Sequence, residues 1–381
     1  MEIKYAICGL VLFAASFLVV KRLHSEDEAA ATGQQATSAV IMQSEIDAGT
    51  KIFMPYCYMA SSSDPNGMSE KDLLNYILTC TARLLEAKEY KSLDAMIIYL
   101  RDKKVRTPSG LWLQSSFYTG IGRFIGKAKS EAEFDAIDAQ FSEWLAASKN
   151  SEAAHLALSR SMIRRAWFYR GSGYASTVSE EAFEKFRKQI SKTKKFMLEH
   201  ESVSGRDPEW YSQWFSVLLA ENGADEEGYK RYFDNAVKQY PEYYPMYFSA
   251  ATFYLSKWHG DDEAFDKFAR SADGILEPGQ ASALYSRIYW SHACSRCGDD
   301  VENWRDHWDD ISAGFEQIIS DYPDPWNINN YARIACSAYD QDKTLELMKK
   351  IGSTPLSEAW DDEQFSYQYC ANWSGHKLEA K

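Results

Sequence analysis

The stretch that decides the fold is EKDLLNYILTCTARLLEAKEY, which runs from Glu70 to Tyr90. Its apolar residues recur at intervals of three and four positions, a spacing that places them on one face of an α-helix. They are Leu74, Ile77, Leu78, Leu84 and Leu85, with Thr81 among them. A second helical segment, KSLDAMIIYLRDKK, begins directly afterwards. Two helices joined by so short a connection are predicted to form an antiparallel hairpin.

The same spacing continues along the chain. It recurs in SEAEFDAIDAQFSEWLAAS, SEAAHLALSRSMIRRAWFY, VSEEAFEKFRKQISKTKKFML and DEEGYKRYFDNAVKQY. Ser130, Ser151 and Ser179 each precede a glutamate where a helix is expected to begin. A serine oxygen at that position accepts a hydrogen bond from a free backbone N–H of the first turn. No convincing run of alternating residues indicates a strand, so the sequence predicts an all-α fold.

A weak internal repeat refines this prediction. DPEW at Asp207–Trp210 recurs as YPEY at Tyr240–Tyr243, with the two prolines 33 residues apart. The tetratricopeptide helix pair has a period of about 34 residues. DPWNINNYARIACSAYDQDKTLELMKKIG, Asp324 to Gly352, also follows the tetratricopeptide order of proline, aromatic residue, small residues, acidic turn and amphipathic helix. We therefore expect a degenerate tetratricopeptide-like helical-repeat array, an α–α superhelix of about six or seven helix pairs with a concave face.

The N-terminus differs from the rest. Tyr5 to Val20 reads YAICGLVLFAASFLVV, carries no charge and is followed by Lys21 and Arg22. This length is at the short end for a membrane span. The apolar run continues past its small residues, which favours an uncleaved anchor over a cleaved signal peptide or a buried helix. The basic pair after the run favours a cytoplasmic body, whereas the signal-like position favours an extracytoplasmic one. We expect a single-pass membrane protein with a periplasmic body.

These patterns divide the chain into four parts. Residues 1–22 are predicted to be the signal-anchor or transmembrane helix, and residues 23–66 a flexible tether rich in Ala, Thr, Gln and acids. Residues 67–275 form the predicted helical body, and residues 276–381 the C-terminal tetratricopeptide-like helices.

Three stretches carry a resemblance to a known family. They are LLEAKEYKSLDAMIIYLRDKKVRTPSGLW (84–112), AHLALSRSMIRRAWFYRGSGYASTVSEEAFEKF (154–186) and YLSKWHGDDEAFDKFA (254–269). Together they resemble the bacterial domain-of-unknown-function family 4034 (DUF4034), which covers roughly the body of the chain. The resemblance implies a helical, tetratricopeptide-like body. It implies no activity and no catalytic residue.

The candidate binding stretch is RRAWFYRGSGYAST, Arg164 to Thr177. A phosphate-binding loop has its glycines before a helix, whereas here the glycines follow one. The order favours a helix end and an inter-helix turn. The alternative is a ligand-facing patch, in which arginines bind carboxylates and aromatic rings stack. The residues of this patch would be Arg164, Arg165, Trp167, Arg170 and Tyr174.

Two further features are expected to be structural. RTPSGLW, Arg106 to Trp112, is predicted to be a rigid turn with a proline-fixed backbone, an unusual angle at Gly110 and Trp112 in the core. Cys336 and Cys370 are the preferred disulfide pair, because both are expected on neighbouring helices of the tail.

Signals for metal, redox or hydrolytic chemistry are weak. HACSRC contains Cys294 and Cys297, which is half of a zinc site or a redox pair, but no second Cys-x-x-Cys exists. Structural or disulfide-linked cysteines are the favoured reading. The acidic run DDVENWRDHWDD, Asp299 to Asp310, is more typical of a solvated helix face than of a cation site. No His-Glu-x-x-His or Gly-x-Ser-x-Gly motif is present.

Charge and composition limit the function. The net charge of -13 disfavours nucleic acid as a partner, because phosphate binding needs a basic face. We expect a membrane-tethered, non-catalytic protein that binds a protein or peptide partner on a rigid surface rich in Tyr, Trp and Arg, without a cofactor or metal. One alternative is an extracytoplasmic binding or enzyme-accessory protein that holds a small polar ligand in its concave surface. The other is an enzyme with an unrecognised site.

Overall fold

The computed structural model describes residues 68–171, 175–221, 225–292, 304–360 and 365–376. These residues form sixteen α-helices and four short 3-10 helices, and no β-strand is found among them. One isolated antiparallel bridge joins Arg106 to Trp112. The predicted all-α fold is therefore confirmed for this part of the chain. The predicted anchor and tether lie outside the described residues. Among the helices that the structure describes, none is long and apolar enough to span a membrane.

The helices follow one another with short connections. The first eight are α1 Glu70–Glu86, α2 Tyr90–Asp102, α3 Gln114–Ile125, α4 Glu131–Ala147, α5 Glu152–Arg170, α6 Glu180–Glu199, α7 Glu201–Ser204 and α8 Glu209–Ala220. The others are α9 Glu226–Gln239, α10 Tyr244–Ala251, α11 Asp262–Ala269, α12 Pro278–His292, α13 Trp308–Asp321, α14 Pro325–Ser337, α15 Gln341–Ile351 and α16 Tyr367–Ser374. The 3-10 helices are Ala175–Thr177, Thr252–Tyr254, Trp304–His307 and Ser357–Trp360.

The predicted helix starts are confirmed. The side-chain oxygens of Ser130, Ser151 and Ser179 accept hydrogen bonds from backbone N–H groups in the first turns of α4, α5 and α6. These bonds satisfy donors that a helix leaves free at its start, and the glutamate that follows each serine complements the helix dipole. Local sequence therefore sets these three helix starts.

Most helices pack against their neighbours in sequence. The closest pairs include α5 with α6, α12 with α13 and α14 with α15, while α1 packs against both α2 and α3. One hydrophobic cluster extends through the described helices, from Leu73 to Ala371. Large aromatic rings fill much of it, and Trp210 and Trp214 stack with ring centroids 5.1 Å apart. The high aromatic content thus serves the core, where each ring buries a large apolar area.

The loop between α2 and α3 closes the body. Ser109 donates hydrogen bonds from its backbone N and its Oγ to the buried carboxylate of Glu70, at 2.8 and 2.9 Å. Its carbonyl oxygen accepts from Arg287 Nη2 at 2.5 Å and from Asn327 Nδ2 at 3.2 Å. These partners lie on α12 and α14, far along the chain. The loop therefore joins the first described helix to the last third of the molecule.

Gly110 is required for this contact. Its φ is +89°, a conformation that side chains rarely adopt, and a Cβ atom there would lie 2.5 Å from the Tyr322 ring. Trp112 is 4% exposed. The rigid turn predicted from the sequence is confirmed.

Candidate functional site

The stretch that begins at Arg164 contains the end of α5. The helix ends at Arg170, and Gly171 adopts a φ of 72° while its N–H bonds to the Trp167 carbonyl. This confirms the interpretation of the stretch as a helix end. Tyr174, the fifth candidate of the patch, lies outside the described residues.

Arg165 is engaged inside the protein. Its guanidinium forms ion pairs with Asp135 and Asp138, each at 2.9 Å, and lies 5.4 Å from the centre of the Phe134 ring. The residue is 9% exposed. Because all three partners belong to α4, Arg165 fastens α5 to α4. The positive charge of Arg165 is therefore paired within the protein.

Of the three other candidates, Trp167 and Arg170 contact α6. Trp167 packs edge-on against Phe186, with 5.1 Å between the ring centroids. Arg170 lies 5.6 Å from the Trp167 ring and 5.9 Å from the Phe183 ring. Arg164 is half-buried, and burial lowers the pKa of its guanidinium. A ligand-binding role for this patch stays a prediction.

A second group of arginine and aromatic residues lies in the C-terminal part of the chain. We call it the C-terminal aromatic surface and define it as Trp304, Arg305, Tyr339, Tyr369 and Trp373. Tyr369 belongs to it through Phe365, whose ring centroid lies 6.0 Å from that of Tyr369 and 6.2 Å from that of Tyr339. The Arg305 guanidinium lies 4.9 Å from the Tyr339 ring centre and 5.5 Å from that of Trp304. The Tyr339 and Trp373 centroids are 6.2 Å apart. Tyr339 is 54% exposed and Tyr369 is 43% exposed, which is unusual for side chains of this size.

A disulfide fixes this surface. The structure joins Cys336 on α14 to Cys370 on α16, with 5.8 Å between their Cα atoms. Both cysteines are fully buried. Tyr339 follows Cys336 by three residues, and Tyr369 directly precedes Cys370. The bridge therefore holds the two exposed tyrosines in a constant relative position.

Tyr339 is presented by a tight turn. It adopts a φ of 61°, which is rare for a bulky residue, between α14 and α15. Its N–H bonds to the Cys336 carbonyl at 3.1 Å, and the Asp340 N–H bonds to the Ala335 carbonyl at 3.0 Å. Such strain persists only where the surrounding structure imposes it, and it is frequent at functional sites.

Three aspartates lie close in sequence to residues of the surface. Asp306 adjoins Arg305, Asp309 follows four residues after that arginine, and Asp342 lies three residues after Tyr339. All three are exposed, and within the described ranges none of them forms an ion pair. Asp340, by contrast, caps α15 and accepts from Trp308 Nε1 at 2.9 Å. The surface thus has an aromatic centre, one arginine and several unpaired carboxylates.

A small cavity of about 300 Å³ lies between α2 and the connection from α4 to α5. On its wall, Asp94 Oδ1 accepts from Trp144 Nε1 at 3.1 Å and from Ser151 Oγ at 2.5 Å. Burial raises the pKa of Asp94. Glu152, also on the wall, pairs with Arg206 at 3.1 Å. The lining residues are Asp94, Ile97, Ile98, Ser148, Lys149, Asn150, Ser151 and Glu152.

A buried polar network lies deeper in the body. Asp207 is fully buried and accepts from Tyr118 Oη at 2.6 Å, from Gln114 Nε2 at 2.8 Å and from the Glu209 backbone N at 2.9 Å. Burial raises its pKa to about 7. Arg101, which lies 4.0 Å from Asp207, is 3.8 Å from Glu152 and so connects the network to the cavity wall.

Glu209 continues the network. Its carboxylate accepts from Arg160 Nη1 at 2.7 Å and from Tyr243 Oη at 2.9 Å. Burial raises the pKa of Glu209, while the Arg160 charge opposes that shift. These bonds hold α5, α8 and the start of α10 together. Because these bonds join three helices inside the core, the arrangement stabilises helix packing.

The weak chemical motifs fall partly outside the described residues. Cys294, Cys297 and the start of the acidic run belong to the undescribed segment 293–303. At the end of that run, Asp310 pairs with Arg270 at 2.6 Å and His307 lies 3.2 Å from Asp266. In the part of the chain that the structure describes, no three His, Cys, Asp or Glu side chains are placed to hold a metal ion.

Comparisons with known proteins do not identify a related family or structure. No family model matches the chain, and neither the curated proteins nor the solved structures contain a significant match. The resemblance to family 4034 therefore stays an interpretation of the quoted residues.

Sequence reasoning missed the C-terminal aromatic surface as a unit. Its members come from a 3-10 helix, the turn after α14 and helix α16. Only the two cysteines suggested that the last two of these elements meet. The sequence contained no signal that Tyr339 and Tyr369 would be exposed.

Proposed function

We propose that the protein is a membrane-tethered, non-catalytic interaction protein that binds a protein or peptide partner through the C-terminal aromatic surface. The observation that carries this proposal is the exposure of Tyr339 and Tyr369 beside a buried disulfide. Tyrosine, tryptophan and arginine contribute most of the binding energy in many interfaces. A surface that is already rigid loses little conformational entropy on binding.

The wider setting of this proposal follows the sequence. Residues 1–22 would anchor the chain, residues 23–66 would act as the tether, and the body would be a degenerate tetratricopeptide-like array of the family 4034 type. A periplasmic body agrees with disulfide bonding at Cys336, Cys370 and Cys80, because disulfides persist in oxidising compartments.

Site-specific photocrosslinking tests the proposal. A photoreactive phenylalanine analogue replaces Tyr369 in the full-length protein, produced in its native cells, and a matched variant carries it at Lys195, an exposed residue of α6. We expect a discrete heterologous adduct from position 369 and none from position 195. Equal labelling at both positions, or no adduct at position 369, would contradict the proposal.

The cavity favours a second candidate function, which is the holding of a small polar ligand. Its volume of about 300 Å³ is at the lower limit of ligand pockets, and its wall combines carboxylates with Ile97 and Ile98. Thermal-shift screening of small amines and amino acids, with Ile98→Trp as the variant that fills the cavity, tests this function. A ligand that stabilises the wild type but not the variant would support it, whereas equal shifts would exclude the cavity.

A further inference from the structure

We infer that the partner segment bound by the C-terminal aromatic surface is basic, an extended peptide whose lysine or arginine side chains lie over the exposed tyrosine rings. This inference rests on the proposed function and names the chemistry of the partner. Its basis is the combination of exposed aromatic faces and unpaired carboxylates on one rigid surface.

The charges near the surface favour a basic partner. Asp306, Asp309 and Asp342 are exposed carboxylates without an ion-pair partner in the described residues, and they outnumber the single guanidinium of Arg305. Nearby Lys343 does not offset them, because its ammonium already pairs with Glu316 and Glu346. The chain as a whole has a net charge of -13. A basic segment is therefore attracted both by the surface and by the field of the whole protein.

The rings of the surface also favour a basic partner. The face of a tyrosine or tryptophan ring attracts a cation, and the attraction grows as the cation loses water. Arg305 already uses this interaction within the protein, since its guanidinium lies 4.9 Å from the Tyr339 ring and 5.5 Å from the Trp304 ring. The guanidinium is held there by a hydrogen bond from Nε to the Ser337 carbonyl at 2.9 Å. The surface thus accepts cations against its rings.

Other occupants fit less well. An acidic peptide would bring carboxylates against Asp306 and Asp342. A second copy that met this surface through its own would bring the same aspartates together, and like charges in contact oppose association. Both are outcomes that the experiment distinguishes from a basic partner.

Fluorescence anisotropy with full-length protein in detergent micelles tests the inference. The probes are three labelled peptides of equal length, in which glycine alternates with lysine, glutamate or serine. We expect the lysine peptide to bind and the other two to bind at least about tenfold more weakly. Affinity for the lysine peptide should fall as salt rises, because part of the attraction is electrostatic.

Variants separate the surface from general attraction to an acidic protein. Tyr339→Ala with Tyr369→Ala should weaken the lysine peptide about tenfold, whereas Tyr339→Phe with Tyr369→Phe should keep the affinity within about twofold. The matched control is Phe168→Ala, which removes an exposed aromatic ring from α5 and should leave binding unchanged. The phenylalanine pair shows whether the affinity depends on the rings or on the hydroxyl groups, and thermal unfolding of the alanine pair shows whether that variant is folded.

Each unfavourable result overturns the inference. Equal binding of the lysine peptide to wild type and to the alanine pair would show attraction that bypasses this surface. Binding of the glutamate peptide at equal strength would exclude a basic partner, and an adduct between two copies at position 369 would identify self-association instead. A heterologous adduct at that position without lysine-peptide binding would refute the chemistry named here while leaving the proposed function standing.

Discussion

The end of α5 and the C-terminal aromatic surface contain the same kinds of residue, but they differ in how far these residues are packed and paired inside the protein. Both place an arginine over an aromatic ring, Arg170 at 5.6 Å from Trp167 and Arg305 at 4.9 Å from Tyr339. On α5, Trp167 packs against a neighbouring helix and Arg165 is paired with two aspartates. At the C-terminal surface, Tyr339 is 54% exposed. Residue type alone therefore does not identify a binding surface; the decisive features are whether the rings are covered and the charges paired.

The largest expected effect is a loss of unfolding free energy caused by a substitution in α5. Arg160→Ala would leave the buried carboxylate of Glu209 without the ion pair that it forms at 2.7 Å. We expect the free energy of unfolding to fall by about 3–5 kcal/mol, because a buried charge that loses its partner is strongly unfavourable. Urea denaturation followed by tryptophan fluorescence measures this loss. The double variant R160M/E209Q removes both charges and should recover much of it; a single variant as stable as the wild type would refute the role of the pair.

The second largest effect is expected from removal of the disulfide beside the C-terminal aromatic surface. Replacing Cys336 and Cys370 with serine removes a bridge between residues 34 positions apart. We expect a loss of about 2–4 kcal/mol of unfolding free energy, since the unfolded chain gains conformational freedom. The same variant should bind the lysine peptide more weakly, because Tyr339 and Tyr369 are no longer held together. Unchanged peptide affinity would show that the bridge does not organise the surface.

A third expected effect is a dependence of stability on pH that arises from a buried carboxyl group. Burial raises the pKa of Asp207 to about 7, from the ordinary aspartate value of 3.8. The folded state therefore holds this proton more tightly than the unfolded state, so its contribution to stability is complete below about pH 4 and is lost as the pH rises through about 7. We expect a decline of about 2–3 kcal/mol between about pH 5 and about pH 8.

Comparison of the wild type with Asp207→Asn measures this contribution. Thermal unfolding at a series of pH values should show a flatter profile for the variant across that range. Parallel profiles would assign the dependence to other groups.

The smallest changes in stability are expected for single substitutions at the end of α5 and in the C-terminal aromatic surface. Arg165→Ala should lower the unfolding free energy by about 1 kcal/mol, because one of its partners is largely exposed and ion pairs near water are weak. Tyr339→Ala should change it by less than about 0.5 kcal/mol, as for most surface substitutions. Peptide binding should show the reverse, with a loss only for Tyr339→Ala. A binding loss in Arg165→Ala at unchanged stability would instead support the α5 patch as a site.

Local features of the fold were predictable from the sequence. Ser130, Ser151 and Ser179 mark helix starts because a cap depends only on the next few residues. Gly171 and Gly110 were recognisable for the same reason, since each reflects a local backbone requirement.

Contacts between distant parts of the chain were not predictable. Arg287 and Asn327 reach Ser109 across 178 and 218 positions, and no short-range pattern encodes these pairs. The exposure of Tyr339 likewise depends on which helices surround it. The repeat-like spacing of the prolines indicated helix pairs without revealing that the loop at Ser109 closes the body.

The contact at Ser109 also has a consequence for the order in which the protein acquires its structure. Glu70 and Ser109 leave the ribosome early, whereas Asn327 follows more than two hundred residues later. Pairings so distant in sequence form slowly, because a long segment of chain must first be closed into a loop. During synthesis, the Ser109 carbonyl therefore bonds to water until Arg287 and Asn327 have been made and can replace it. A chain that terminates early would expose this polar junction, which gives quality-control proteases a physical difference between finished and unfinished molecules.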